Sequence, residues 1–399
     1  MEIQRIYFQK LWKELGQREI SILLGARQVG KSTLMRQLET AVKKEGHSTR
    51  FYDLEQPSDL KQLAGEPSDV IRELTRHARV VFIDEFHYLK NASKIFKAIY
   101  DSRREIKIYA SGSSSLEIHK HLKESLAGRF LRTQIFPLSL SEWHQVDTFK
   151  ETDYLTWGGL PGLVRRQTDE ERAELLNQIL STYITKDIKG LIKEENVRAF
   201  NALLYLLAQS QGSVAAASNL ARETGLSEST VARHLEITAE TYVLHELPSY
   251  STNLANELKK SKKYYFFDPG IRNALLKDFR SASEREDGGL LLETAVMLHL
   301  TAQLKPNMEL RFWRTKKGEE VDFVLLKNRI PVPMEVKSNL LKPEIPSGMQ
   351  SFLRRYPRSP FGIVFNLSLE ETIPGEGGRE IYFKKWTAVS GLEYLQSVK

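Results

Sequence analysis

Residues 25–32 read Gly25-Ala26-Arg27-Gln28-Val29-Gly30-Lys31-Ser32, a full G-x-x-x-x-G-K-[ST] phosphate-binding loop. The pattern constrains the fold because such a loop works only between a strand and a helix. The apolar run Ile20-Ser21-Ile22-Leu23-Leu24 predicts the strand, and Thr33-Leu34-Met35-Arg36-Gln37-Leu38 opens the helix. Glycines let the backbone turn its N–H groups toward the β- and γ-phosphates, and the helix N-terminus adds positive potential. Lys31 is placed to reach the outer phosphates, and the Ser32 hydroxyl to hold Mg²⁺. Gly25 through Thr33 are therefore the candidate ATP-binding residues.

The next 120 or so residues alternate strand and helix patterns. Thr49–Leu54, Val80–Ile83, Ile106–Ala110 and Arg132–Phe136 read as further strands. Val80-Val81-Phe82-Ile83 is apolar throughout, as suits a strand buried on both faces. Alternation of this kind predicts an α/β fold with a parallel sheet over residues 1–150. Asp84 and Glu85 follow the third strand. An acid there can hold the Mg²⁺ shell, and the next can polarise the attacking water. The fourth strand ends in Ser111-Gly112-Ser113-Ser114-Ser115. Ser113 is the first candidate to orient water or touch the γ-phosphate, with Ser111 second; a turn followed by a helix cap is the plainer account.

Composition narrows the class. The 399 residues allow two or three domains, and there is no cysteine, which excludes disulfides, thiolate zinc sites and cysteine nucleophiles. No signal-peptide pattern opens the chain, and the longest apolar runs are far too short to cross a bilayer. A soluble, cytoplasmic protein with no membrane partner is expected. The net charge of +7 permits a nucleic-acid partner without demanding one.

Residues 151–210 read as a helical lid, and residues 211–275 as a separate module. Ser218–Val231 has helix-turn-helix spacing: Ala221 where two helices cross, Gly225 for the turn, Ser227 as a cap and Val231 returning to the core. The second helix continues through Arg233 and His234. A basic stretch with Lys259, Lys260, Lys262 and Lys263 leads into Tyr264-Tyr265-Phe266-Phe267, a return strand. Together these predict a winged helix with the lysines on phosphates, although such modules also serve as protein-binding units or spacers. Residues 285–399 return to an α/β pattern. Asp322 and Glu335 lie on adjacent predicted strands, and period two puts Glu335 and Lys337 on one face.

The phosphate loop, the Asp84-Glu85 pair and the Ser111–Ser114 strand end resemble AAA+-type ATPases. The ordered words Ser125–Arg129, Pro137–Trp143, Gly158–Pro161 and Tyr183–Ile188 are similar to those of a prokaryotic group whose ATPase module precedes a nuclease-like domain. The resemblance implies an arginine finger at Arg129, serving a neighbouring subunit, and a proline, Pro161, packed on the adenine. It also implies a homo-oligomer. Glu293, Asp322, Glu335 and Lys337 resemble the PD-(D/E)XK nuclease core, in which the carboxylates bind a divalent metal and the lysine activates water. The expectation is therefore an ATP-hydrolysing protein acting on nucleic acid, DNA favoured. The alternatives are a nucleotide-controlled switch with a protein partner and an ATP-gated nuclease.

Overall fold

A computed structural model of the chain describes residues 3–113, 126–146, 150–183, 197–251 and 262–391. The N-terminal sheet is parallel, with strands β1 (Ile20–Leu24), β2 (Thr49–Asp53), β3 (Val80–Asp84), β4 (Lys107–Gly112) and β5 (Phe130–Gln134) in the order β2-β3-β4-β1-β5. Every residue of β1, β3 and β4 is buried, as helices on both faces require. Because β4 is inserted between β1 and β3, the loop after Leu24 faces the C-terminal ends of both neighbours. Open parallel sheets place ligands at such an edge.

Arg5 fastens this edge from outside the sheet. Its buried guanidinium donates to the Val29 carbonyl at 2.6 Å, to the Phe136 carbonyl at 2.7 Å and to Glu142 at 2.7 Å. Glu142 also closes a capping box with Ser139 at the start of helix Leu140–Trp143. The words Pro137–Trp143 thus serve, through Arg5, to hold the phosphate loop.

Helix Glu151–Trp157 stops at Gly158, whose φ of +78° and contact with Asp268 leave no room for a side chain. Asp268 Oδ2 accepts from the Gly159 N–H at 2.7 Å, and its Oδ1 caps helix Pro269–Leu276 through the Ile271 N–H at 3.2 Å. Burial raises the Asp268 carboxyl to about 7, although the Gly159, Ile271 and Gly270 N–H groups favour its ionised form. The folded chain therefore holds this proton more tightly than the unfolded chain, where the ordinary value is 3.8. Its contribution is full below that value and is lost as pH climbs toward about 7. Asp268→Asn is expected to show a shallower fall in Tm than the native chain between about pH 4 and pH 7. Parallel melting curves would show that this carboxyl does not titrate there.

Helices Ala217–Thr224 and Glu228–Glu240 are joined through Gly225 in the left-handed region, and Ser227 caps the second by accepting from the Thr230 N–H. They lie beside a small antiparallel sheet of β6 (Val214–Ala215), β7 (Leu244–Leu247) and β8 (Lys262–Phe266), ordered β6-β8-β7. His234 is buried edge-on to Phe200 and takes no part in an exposed helix face. Lys259 and Lys260 lie outside the described residues, as do Ser114, Ser115 and the stretch Ile184–Ile188.

A separate C-terminal sheet has strands β9 (Met308–Arg314), β10 (Glu320–Lys327), β11 (Ile330–Lys337), β12 (Gly362–Asn366), β13 (Glu371–Pro374) and β14 (Glu380–Lys385). Its order is β13-β14-β12-β11-β10-β9, antiparallel through β9, β10 and β11, then parallel through β12 and β14. The segment after β7 joins its edge: Tyr250 N–H donates to the Phe312 carbonyl at 2.6 Å, and Phe312 N–H to the Pro248 carbonyl at 3.0 Å. No described helix is long and apolar enough to cross a membrane.

Candidate nucleotide site and a second carboxylate cluster

The phosphate loop has the backbone its sequence demands. Gly30 sits at φ +91° as the N-cap of helix Lys31–Lys44, and Gln28 is also left-handed at φ +60°. A Cβ on Gly25 would strike the Ile135 carbonyl, and one on Gly30 would lie 2.9 Å from Arg5 and 3.4 Å from the Pro161 ring. That last contact places Pro161 at the loop. Lys31 is 5% exposed, and its ammonium donates to the Gly25 and Ala26 carbonyls at 3.1 and 2.9 Å. Ser32 and Thr33 are exposed at the helix start, Ala26 and Val29 are buried, and Arg27 lies 3.9 Å from Glu55.

The strand ends opposite the loop carry the acids. Asp84 hydrogen-bonds to Ser111 and to Ser32. Burial raises its carboxyl; those two hydroxyls oppose the shift, and the charges of Glu85 and Asp53 reinforce it. The Ser32–Asp84 pair is a hydroxyl and a carboxylate beside a phosphate loop, a donor set that fits Mg²⁺. Glu85 adopts φ +51°, an uncommon backbone for a non-glycine residue that costs about 1 kcal/mol. That twist carries its Oε2 to the Ser113 N–H at 2.9 Å, the Ser113 hydroxyl at 3.2 Å and His87 Nδ1 at 3.1 Å. Burial would raise the Glu85 carboxyl, but His87, the Lys31 charge and the Ser113 N–H outweigh it and push it down to about 2. Ser113 therefore meets Glu85, and Ser111 meets Asp84.

Sequence reading missed Asp53 and His87. Asp53 ends β2 in register with Asp84, an acid at a strand end that could have been noticed. His87 lies two residues beyond Glu85, where only the turn brings it back. Arg129 stands apart from its own loop: its carbonyl accepts from the Ile20 N–H, at the opposite end of β1. Four strand steps separate those ends, about 13 Å. Its guanidinium pairs with Asp101 at 2.9 Å.

The C-terminal acids are gathered, but around lysines. Asp322 Oδ2 accepts from the Val336 N–H at 2.9 Å, while Lys337 Nζ lies 2.8 Å from Glu335 and 4.0 Å from Asp322. Lys263, only 2% exposed, reaches in from β8 and lies 2.5 Å from Glu320 and 3.7 Å from Glu293. Tyr265 OH donates to Glu293 at 2.5 Å. Burial, reinforced by the Asp322 charge, raises Glu293 to about 7 and Glu335 to about 8. Among the described residues no group of three acidic or histidine side chains is arranged to hold a metal ion. The expected divalent-metal set of Glu293, Asp322 and Glu335 does not fit: the neutralising charges are the ammonium groups of Lys263 and Lys337. Two lysines expected on phosphates are likewise reassigned, since Lys262 pairs with Glu246 at 2.6 Å and Lys263 is buried.

Three family models match parts of the chain. Residues 17–144 match the family model of an AAA domain. Residues 149–282 and 288–381 match two domains of unknown function, DUF8612 and DUF4143. The uncharacterized protein Rv2008c of Mycobacterium tuberculosis is 26% identical over 359 residues, covering 89% of this chain and 78% of the relative. The uncharacterized protein MJ1544 of Methanocaldococcus jannaschii is 23% identical, covering 77% of this chain and 72% of the relative. Among solved structures, AMPPCP-bound DnaA from Aquifex aeolicus overlays with a TM-score of 0.32 at 15% identity, over 58% of this chain and 86% of that one. The Pif1 helicase from Candida albicans overlays at 0.27 and 15% identity, over 45% and 48%. Overlays this loose carry no functional argument, which rests on the residues. By loop sequence and by family match alike, residues 17–144 are similar to the AAA-type P-loop ATPases.

Proposed function

We propose that the chain hydrolyses ATP at the phosphate loop and uses the cycle to act on nucleic acid. The observation that carries the hydrolytic part is the Glu85 carboxylate: backed by Ser113 and His87, held low by its surroundings, and next in sequence to the Ser32–Asp84 pair. Lys31 and the loop N–H groups bind the outer phosphates, and Pro161 flanks the loop where the base would lie. Mg²⁺ held by Ser32 and Asp84 would add positive charge on the phosphate oxygens. Glu85 accepts a hydrogen bond from a water whose oxygen forms the new bond to the γ-phosphorus; the bond to the bridging oxygen breaks, ADP departs with that electron pair, and the water's proton is given up to solvent as inorganic phosphate is released. Nucleic acid is favoured as partner by the net charge of +7 and by the helix-turn-helix at 217–240. The test is the ATPase rate of the full chain with and without a panel of DNA and RNA forms. Stimulation by one of them is the expected result, and indifference to all of them would favour the switch with a protein partner.

Arg129 fits a role between subunits, because it lies at the far end of the sheet from its own loop. Arg129→Ala is expected to lower turnover roughly 100-fold, the cost of removing one charged stabiliser of the transition state. Mixing Arg129→Ala with Glu85→Gln protomers is expected to restore part of the rate, since a native Arg129 then meets a native Glu85 across a shared boundary. No recovery on mixing would confine the arginine to its pair with Asp101.

A further inference from the structure

A recess of about 700 Å³ lies where the segment after β7 meets β9. Of its aromatic lining residues Phe312 and Trp313 are buried, whereas Tyr356, packed against Phe352 and Tyr250 with ring centres 4.5 and 5.1 Å apart, is half-buried and keeps exposed surface. Its rim is cationic. Arg314, Lys316, Lys317 and Arg355 line it, against the single carboxylate of Glu319. Glu319 is tied into its own turn, with Thr315 Oγ1 donating to it at 3.3 Å and Thr315 N–H donating to its carbonyl at 2.9 Å. Arg314 lies 3.5 Å from Glu320, whereas no described acid pairs with Lys316, Lys317 or Arg355. Ser249 lines the same recess and is 3% exposed, and its hydroxyl has no hydrogen-bond partner among the described residues. A buried hydroxyl without a partner is uncommon and calls for one.

We propose that this recess binds single-stranded nucleic acid, with phosphates on the Lys316, Lys317 and Arg355 rim and a base against Tyr356. The inference deepens the nucleic-acid reading above and rests on it. Three unneutralised cations around a concavity ask for a polyanion, and a half-buried tyrosine among them suits a flat ring. An acidic peptide would satisfy the first and leave the second unused. A duplex, with its bases stacked and paired, has no free base to lay against Tyr356. The Ser249 hydroxyl would supply a donor or acceptor to the bound chain.

The test is fluorescence anisotropy of the full-length protein with labelled oligo(dT), a matching RNA and a matching duplex, in ATP and in ADP, over a range of salt. The native chain is expected to bind the single strands more tightly than the duplex. Lys316→Ala/Lys317→Ala is expected to weaken oligo(dT) binding at least about tenfold and to reduce the log–log salt slope by about 1.4, two contacts at about 0.7 each. Both side chains are exposed, so an unchanged Tm will show that the fold is intact. Arg355→Ala is expected to act in the same direction, and Lys61→Ala/Lys94→Ala, outside the recess, to keep native affinity. Native affinity in the Lys316/Lys317 variant would overturn the recess while leaving a nucleic-acid partner in place. No binding of any nucleic acid by the native chain would overturn both. Displacement of oligo(dT) by polyglutamate at equal charge would reassign the recess to an acidic polypeptide, and equal displacement by free AMP would reassign it to a mononucleotide; either overturns the proposal.

Discussion

Glu85→Gln is expected to bind ATP as the native chain does and to turn it over about 10³-fold more slowly, within the range that a positioned general base contributes. The change is nearly isosteric. A glutamine oxygen still accepts from the Ser113 N–H, so the strand end keeps its shape, while the negative charge that aligns water is gone. The carboxyl, pushed down to about 2 by its surroundings, is ionised throughout the neutral range, so the loss is expected to persist across that range. Phosphate release gives the rate, and titration with a fluorescent nucleotide gives the affinity. Native turnover in this variant would remove Glu85 from the chemistry, whereas loss of nucleotide affinity would make it a structural part of the loop.

Lys263→Met is expected to cost about 3–5 kcal/mol of stability, the usual penalty for removing one partner of a buried ion pair. Methionine approximates the stem, so the loss reports charge more than volume. Glu293 and Glu320 would be left beside Asp322 with their nearest cation removed. Acid should relieve the strain. The native Glu293 carboxyl already sits at about 7, raised by burial, and without Lys263 nearby it takes up a proton more readily. The deficit of the variant is therefore expected to be larger at about pH 8 than at about pH 5. Urea unfolding at both values measures it, followed by probes in each sheet because a chain of several units need not unfold in one step. Equal stability of variant and native chain would show that the buried ammonium contributes nothing net.

The candidate nucleotide site was legible in the amino-acid sequence because its determinants are local. A phosphate loop such as Gly25 to Ser32 works through its own backbone, and its acid follows an apolar strand, as Asp84 does, so spacing carries the geometry. His87 and Asp53 escaped because a left-handed turn at Glu85 and a strand register bring them in, and neither is written in a short motif. The parallel sheet followed from alternating patterns, and the helix-turn-helix from Gly225 and Ser227. Lys263 was misread for a clear reason. A run of lysines looks solvated, and only the docking of β8 against Glu293 and Glu320 reveals that one of them is interior. In the same way the spacing of Asp322, Glu335 and Lys337 predicted their proximity but not the second ammonium placed among the acids.

Strand β8 and the turn after it have a mechanical consequence. At one end Lys263 is anchored in the C-terminal carboxylates; five residues on, Asp268 grips the amide of Gly159, two positions before the proline that borders the phosphate loop. An extended segment of that length is nearly inextensible. It acts as a tie, so a displacement of Pro161 that pulls Gly159 away from β8 must either drag the far sheet with it or detach one of the two anchors.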